Sequence, residues 1–150
     1  MFEPTLVTWI LVIFGAVTLL PLFFAQLIIL FRPDGKRARD ILIGKGENWR
    51  DNTHFRSAYG LAWADWMLLL PLAFAGSIGV LSGLSWGYVL WACAGAISLY
   101  INIFLWILER KYVYPSCGPL AYYTYVWGFF VYWGMAAVVY SVLRLAGVGF

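Results

Sequence analysis

Asp65 is the residue of this chain best placed to do chemistry. It is the one charged side chain in residues 58–83, AYGLAWADWMLLLPLAFAGSIGVLSG. At 1.5 Å per helical residue that run can cross a bilayer, whose hydrocarbon core takes about 20 apolar residues. A charge inside such a span costs about 2.5–3.5 kcal/mol on insertion scales, so it is tolerated where it faces protein, a partner or a wet cavity. Asp65 therefore tells which way its helix looks. Gln26, Asn102, Tyr125 and Trp127 are polar or amphipathic residues of other apolar runs, and Glu109 stands near the end of one. These six are the candidate ligand contacts, with Asp65 as counter-charge or proton carrier and Glu109 at the mouth.

Other chemistries find little support. His54 is the only histidine, and no second or third ligand lies at metal-binding spacing, so neither a metal nor a cofactor is expected. Cys93 sits in an apolar run and Cys117 in a loop, which suits neither a disulfide framework nor a CxxC redox pair. Cys93 is expected to be a small packing residue. HExxH, GxSxG and P-loop motifs are absent, which lowers the weight of an enzymatic reading without removing it.

The elements that must position these residues follow from composition. Hydrophobic residues make up 63% of the chain and charged ones 11%, with a mean hydropathy of +0.81. Such a balance is that of an integral membrane protein. Nine Trp and ten Tyr exceed what interfacial belts need, so some of these rings are expected at helix contacts or in a pocket. Four spans are expected at about 6–31, 58–81, 86–108 and 120–143, an all-α antiparallel four-helix bundle forming a single domain over 1–150. The first apolar run is longer than the core of a signal peptide and is read as a retained span.

Residues 32–56 form the one long polar segment and carry Arg32, Lys36, Arg37, Arg39, Lys45, Arg50 and Arg56. Excess Lys and Arg mark the cytoplasmic face, and with Arg110 and Lys111 nine of the ten basic residues fall on that side. Both termini are then external, with the inner membrane of a bacterium as the expected location. Within the loop, ARDILIG is expected to form a short amphipathic helix on the headgroups, with Ile41, Leu42 and Ile43 dipping in; a solvated or partner-binding loop is the other reading. Asn52 and Thr53 are candidate N-caps for the second span. Pro21 is expected to kink the first.

Helical spacing draws a stripe of small or polar residues on each of three spans. On the first it is Thr8, Gly15, Thr18 and Gln26; on the second Ala58, Ala62, Asp65, Leu69, Ala73 and Gly76; on the third Trp91, Gly95, Ser98, Asn102 and Glu109. The fourth span brings Tyr122, Tyr123, Tyr125, Trp127, Tyr132 and Trp133, with Gly128 and Gly134 allowing close approach. Counted from the inner ends of the spans, Gln26, Asp65 and Asn102 lie roughly 9–14 Å deep, with Tyr125 and Trp127 at a similar level. One polar layer crossing the bundle is expected. In one reading Asp65 accepts hydrogen bonds from Asn102, Gln26 or a tyrosine, each worth about 0.6–2 kcal/mol, and locks the packing. In the other, the layer lines a notch for a ligand or a proton.

The run Asp65-Trp66-Met67-Leu68-Leu69-Leu70-Pro71, closing at Gly83 and followed by Trp86, resembles the second helix and hairpin of the emopamil-binding-protein-like (EXPERA) family. That resemblance implies four membrane helices and a carboxylate facing a cavity for sterols or hydrophobic amines, and some members isomerise a sterol double bond. No histidine lies in the spans to support an isomerase, so the resemblance is carried over to Asp65 alone, as a ligand contact. Three functions follow: binding of a hydrophobic, amphipathic or sterol-like molecule; a non-enzymatic accessory or assembly subunit pairing with itself or with another membrane protein; or an oligomeric proton-coupled transporter. The lipid bilayer is the constant partner, and nucleic acid is excluded because the bases are explained by topology. A reporter fused at the C-terminus should score as external and one inserted between Lys36 and Lys45 as cytoplasmic; the same side for both would mean that a span is miscounted.

Overall fold

A computed structural model describes residues 2–42, 48–112 and 129–149. All regular structure among them is helical. α1 (Leu6–Phe31) opens with a capping box in which Thr5 Oγ1 accepts from the Thr8 amide and Thr8 Oγ1 accepts from the Thr5 amide at 3.1 Å. Pro21 is accommodated inside this helix, which runs on to Phe31. The short α2 (Lys36–Leu42) rests Ala38 against Ile29 and Ala62, while Ile41 points outward.

α3 (Asn52–Ala64), a π-helical turn (Asp65–Leu69) and α4 (Leu70–Leu81) form one continuous helix. Its cap is Asp51, one residue before the expected Asn52 and two before Thr53. The Asp51 carboxylate accepts from the His54 amide at 2.8 Å, and a carboxylate at this end also meets the positive pole of the helix dipole. α5 (Ser85–Tyr112) and α6 (Tyr132–Leu145) follow. The helices Leu6–Phe31, Asn52–Leu81 and Ser85–Leu105 are each long and apolar enough to cross a membrane, and Phe129–Leu145 is a shorter apolar helix. The expected inner turn at 113–119 and the first part of the fourth span, 120–128, lie outside the described residues, as does Ile43.

α4 and α6 both end in Schellman motifs, and these need glycine. Gly83 (φ +70°) donates to Val80 C=O while Leu84 donates to Gly79 C=O; Gly147 (φ +83°) donates to Arg144 C=O while Val148 donates to Leu143 C=O. The first motif turns the chain straight into α5. The Phe2 amide then donates to Gly83 C=O at 2.9 Å, and an Arg144 Nη2 donates to Glu3 C=O at 2.8 Å. The N-terminal segment, the α4–α5 turn and the end of α6 thus meet at one end of the molecule.

α5 packs between α4 and α6, and glycines set both contacts. At α4–α5, Gly87 lies on the backbone of Gly79, and Trp91 covers Gly76 with its Nε1 donating to Ser77 Oγ at 3.1 Å. At α5–α6, a Cβ on Gly95 would stand 2.6 Å from Gly134 O, and one on Gly134 would stand 2.8 Å from Gly95 O. α1 packs against α2, α3, α4 and α6 and leaves room for Trp133, whose Nε1 reaches Leu11 C=O at 3.2 Å over Gly15. The buried residues of α1 include Thr8, Gly15, Thr18 and Gln26, the stripe read from spacing. Ala62, Asp65, Leu69, Ala73 and Gly76 are likewise buried, and so are Trp91, Gly95, Ser98 and Asn102. Cys93, expected as a packing residue, is instead exposed on the outward side of α5. Its neighbours Ala94 and Gly95 take the inward positions.

The outward faces are apolar: Ile10, Ile13, Val17 and Phe24 on α1, Met67, Leu68 and Phe74 on the second long helix, and Ile103 and Phe104 on α5 are all exposed. A face of that kind suits hydrocarbon. Gly95→Leu should lower the melting temperature in detergent, since overpacking costs about 1–3 kcal/mol. Gly60, whose Cβ would meet nothing within 4 Å, supplies the control: Gly60→Ala should leave it unchanged or slightly raised. Equal melting temperatures for Gly95→Leu and the parent would remove the α5–α6 contact from the list of packing constraints.

Candidate functional site

Asp65 stands at the first position of the π-helical turn. Pro71 explains why the helix widens there. It has no N–H, and its ring would press on the carbonyl four residues back, that of Met67, in a regular α-helix. The turn relieves this by letting the Leu70 amide bond to Asp65 C=O, five residues back. One extra residue in the turn also shifts the face that the preceding side chains present. Asp65 is buried, and so is Leu69.

The partner that reaches Asp65 is Gln26, from α1. Its Nε2 donates to Asp65 Oδ2 at 2.8 Å, with both side chains buried. The other oxygen of each group, Asp65 Oδ1 and Gln26 Oε1, is buried and has no hydrogen-bond partner among the described residues. Trp66, the next residue, turns toward α1 as well. Its ring lies 4.7 Å from that of Phe23, and its Nε1 is also buried and unpaired.

Asn102 does not join them. Its Nδ2 donates to Ser98 C=O one turn back on α5, at 2.7 Å, while Ser98 Oγ donates across to Phe130 C=O at 3.0 Å. Among the described residues the expected single layer is therefore divided: a pair between α1 and the π-helical turn at Asp65, and a separate arrangement at Ser98 and Asn102 that links α5 to Phe130. The physical reason is reach, since a buried amide takes the nearest backbone acceptor its rotamer allows. Glu109 belongs to α5, but its side chain lies outside the described residues, as do Tyr125 and Trp127 entirely.

Two acceptor oxygens without donors define what the site can do. A buried acceptor left unpaired costs about 1–3 kcal/mol, so a group bringing N–H or O–H donors would be favoured there. Among the described residues no group of three or more His, Cys, Asp or Glu side chains stands close enough to hold a metal ion. His54 packs its ring edge-on against Trp49 at 5.1 Å and accepts weakly from the Arg50 amide, which is the setting of a buried structural histidine.

Spacing did not reveal three arrangements. Tyr140 brings its hydroxyl within 2.6 Å of Thr8 Oγ1 and 2.7 Å of Thr5 Oγ1, tying α6 to the cap of α1. Trp133 and Trp66 are the other two. The available signal was a threonine pair three residues apart at the start of a span and a glycine opposite an aromatic, both common in apolar sequence.

Comparison of the chain with protein-family models, curated proteins and solved structures finds no match. The class of protein is therefore defined by fold alone: regular structure that is all helical among the described residues, with three helices long and apolar enough to cross a membrane. Gln26→Leu should lower the melting temperature, because it strips Asp65 of its donor at a cost of about 1–3 kcal/mol. Asn102→Leu, which removes a bond internal to α5, should cost clearly less. A reversed order would mean that Asn102 and not Gln26 carries the polar contact.

Proposed function

We propose that this chain is a multi-pass membrane protein, an antiparallel bundle of four spans with both termini on the outer side. In this reading the Asp65–Gln26 site binds a hydrophobic or amphipathic small molecule through a hydrogen-bond donor. The bundle reading is supported by the meeting of both chain ends with the α4–α5 turn at one end of the molecule, and by the nine basic residues assigned to the opposite side. The binding reading is carried by one observation: two buried acceptor oxygens, on different helices and joined by a single hydrogen bond, that lack donors among the described residues.

A ligand hydroxyl or amine placed between Asp65 Oδ1 and Gln26 Oε1 would satisfy both. Phe23 and Trp66, whose rings meet beside the carboxylate, supply apolar surface for the remainder of the molecule. The π-helical turn serves this role by widening the helix where the donor would enter, a use to which such turns are frequently put.

Asp65→Asn tests the proposal. It keeps the volume and gives the site its own N–H donors, so the melting temperature should hold or rise, because no charge is left to bury. Small molecules co-purifying from mild detergent, read by native mass spectrometry, should be lost. Asp65→Leu should lose them too, with a lower melting temperature from the unpaired Gln26. Retention of the same adducts by Asp65→Asn and the parent would sink the binding reading. A stable protein partner in place of adducts would put the accessory-subunit reading first.

A further inference from the structure

Arg144 is the one basic residue outside the two basic clusters, 32–56 and 110–111, and it is buried at the far end of α1 from the basic loop. Its Nη2 is engaged by Glu3 C=O. The guanidinium carbon lies 5.6 Å from the centre of the Phe2 ring and 5.7 Å from that of Tyr88. The Arg144 Nε and the Tyr88 hydroxyl are both buried without a hydrogen-bond partner among the described residues. Arg144 also has no carboxylate partner among them. Ring faces and the negative pole at the end of α6 attract the cation without neutralising it.

Arg144 forms part of the wall of an open recess of about 520 Å³, which is also bounded by Phe2, Glu3, Leu6 and Gly149. Leu6, 76% exposed, begins an outward track on α1 that continues through Ile10, Ile13, Val17 and Leu20, each more than half exposed. These residues recur at alternating steps of four and three, so they form one apolar strip leading away from the recess. A polar recess with a buried guanidinium in its wall, at the head of an apolar strip, has the layout of a lipid: a charged headgroup above an acyl chain.

We infer that this recess binds the phosphodiester of a membrane glycerophospholipid, with Arg144 on the phosphate and an acyl chain along the Leu6–Val17 strip. Guanidinium forks match phosphate oxygens geometrically, and the charge pairing removes the cost of an uncompensated buried cation. This site is separate from the one at Asp65 and stands or falls independently of it.

The experiment uses the unmodified full chain in mild detergent, offered phosphatidylglycerol and diacylglycerol with the same acyl chains, and reads retained lipid by native mass spectrometry. The diester should be retained about tenfold over the uncharged lipid, the equivalent of one charge-assisted hydrogen bond. Arg144→Gln should abolish the preference and Arg144→Lys should keep part of it. Equal retention of the two lipids by the parent chain overturns the proposal whether or not the variants fold, and so does an unchanged preference in Arg144→Gln. Inorganic phosphate displacing phosphatidylglycerol at matched concentration would overturn the lipid assignment in favour of a soluble anion.

Discussion

Close approach of helix backbones along α5 is the constraint on which the rest of this structure depends. In hydrocarbon, apolar side chains gain little by turning inward, so helices are held by van der Waals contact and by hydrogen bonds between them. Gly79 meets Gly87 on one side of α5 and Gly95 meets Gly134 on the other, in contacts that leave no room for a Cβ. Large aromatics are then seated at the edges of these contacts, Trp91 over Gly76 and Trp133 over Gly15. Small residues and buried tryptophans are thus two halves of one packing scheme, the glycine making the gap and the indole filling it.

Within that scheme, most buried polar groups are answered nearby. Thr18 Oγ1 donates to Phe14 C=O and Ser77 Oγ to Ala73 C=O, one turn back on their own helices, and Asn102 does the same toward Ser98. Tyr140 and Trp133 reach α1 from α6 and convert side-chain polarity into contacts between helices. Against this background the Asp65–Gln26 pair stands out, since each side chain spends one atom on the other and leaves a second buried and unpaired. Pro71 is the origin of the local geometry. Its demand on the preceding carbonyls widens the helix at the turn that begins with the carboxylate.

The two ends of the molecule differ in character. At one end the bases lie on a loop helix, where Lys36 and Arg37 are exposed and Ala38 is buried. At the other end a single base, Arg144, is drawn in among rings and a backbone carbonyl and helps to tie the N-terminal segment to α6. The lone arginine thus has a structural task as well as its proposed ligand.

The three long apolar helices, the Gly-containing turn at 82–84 and the inward stripes of α1, of the continuous α3–α4 helix and of α5 were legible in the amino-acid sequence. Hydropathy and a period of 3.6 are properties of each segment taken alone, and depth along a helix can be counted at a fixed rise. The presence of a buried polar site at Asp65 was legible for the same reason, and Gln26 was among its expected partners. Which partner it would be was not, because Gln26 and Asn102 lie at similar counted depth and the choice depends on how the helices are rotated about their axes. The π-helical turn alters that rotation, and the seating of Trp133 on α1 and the burial of Arg144 under Phe2 and Tyr88 join residues from opposite ends of the chain. Only the tertiary structure decided these, since azimuth and partner choice are settled by the packing of several helices at once and leave no periodic trace in any one of them.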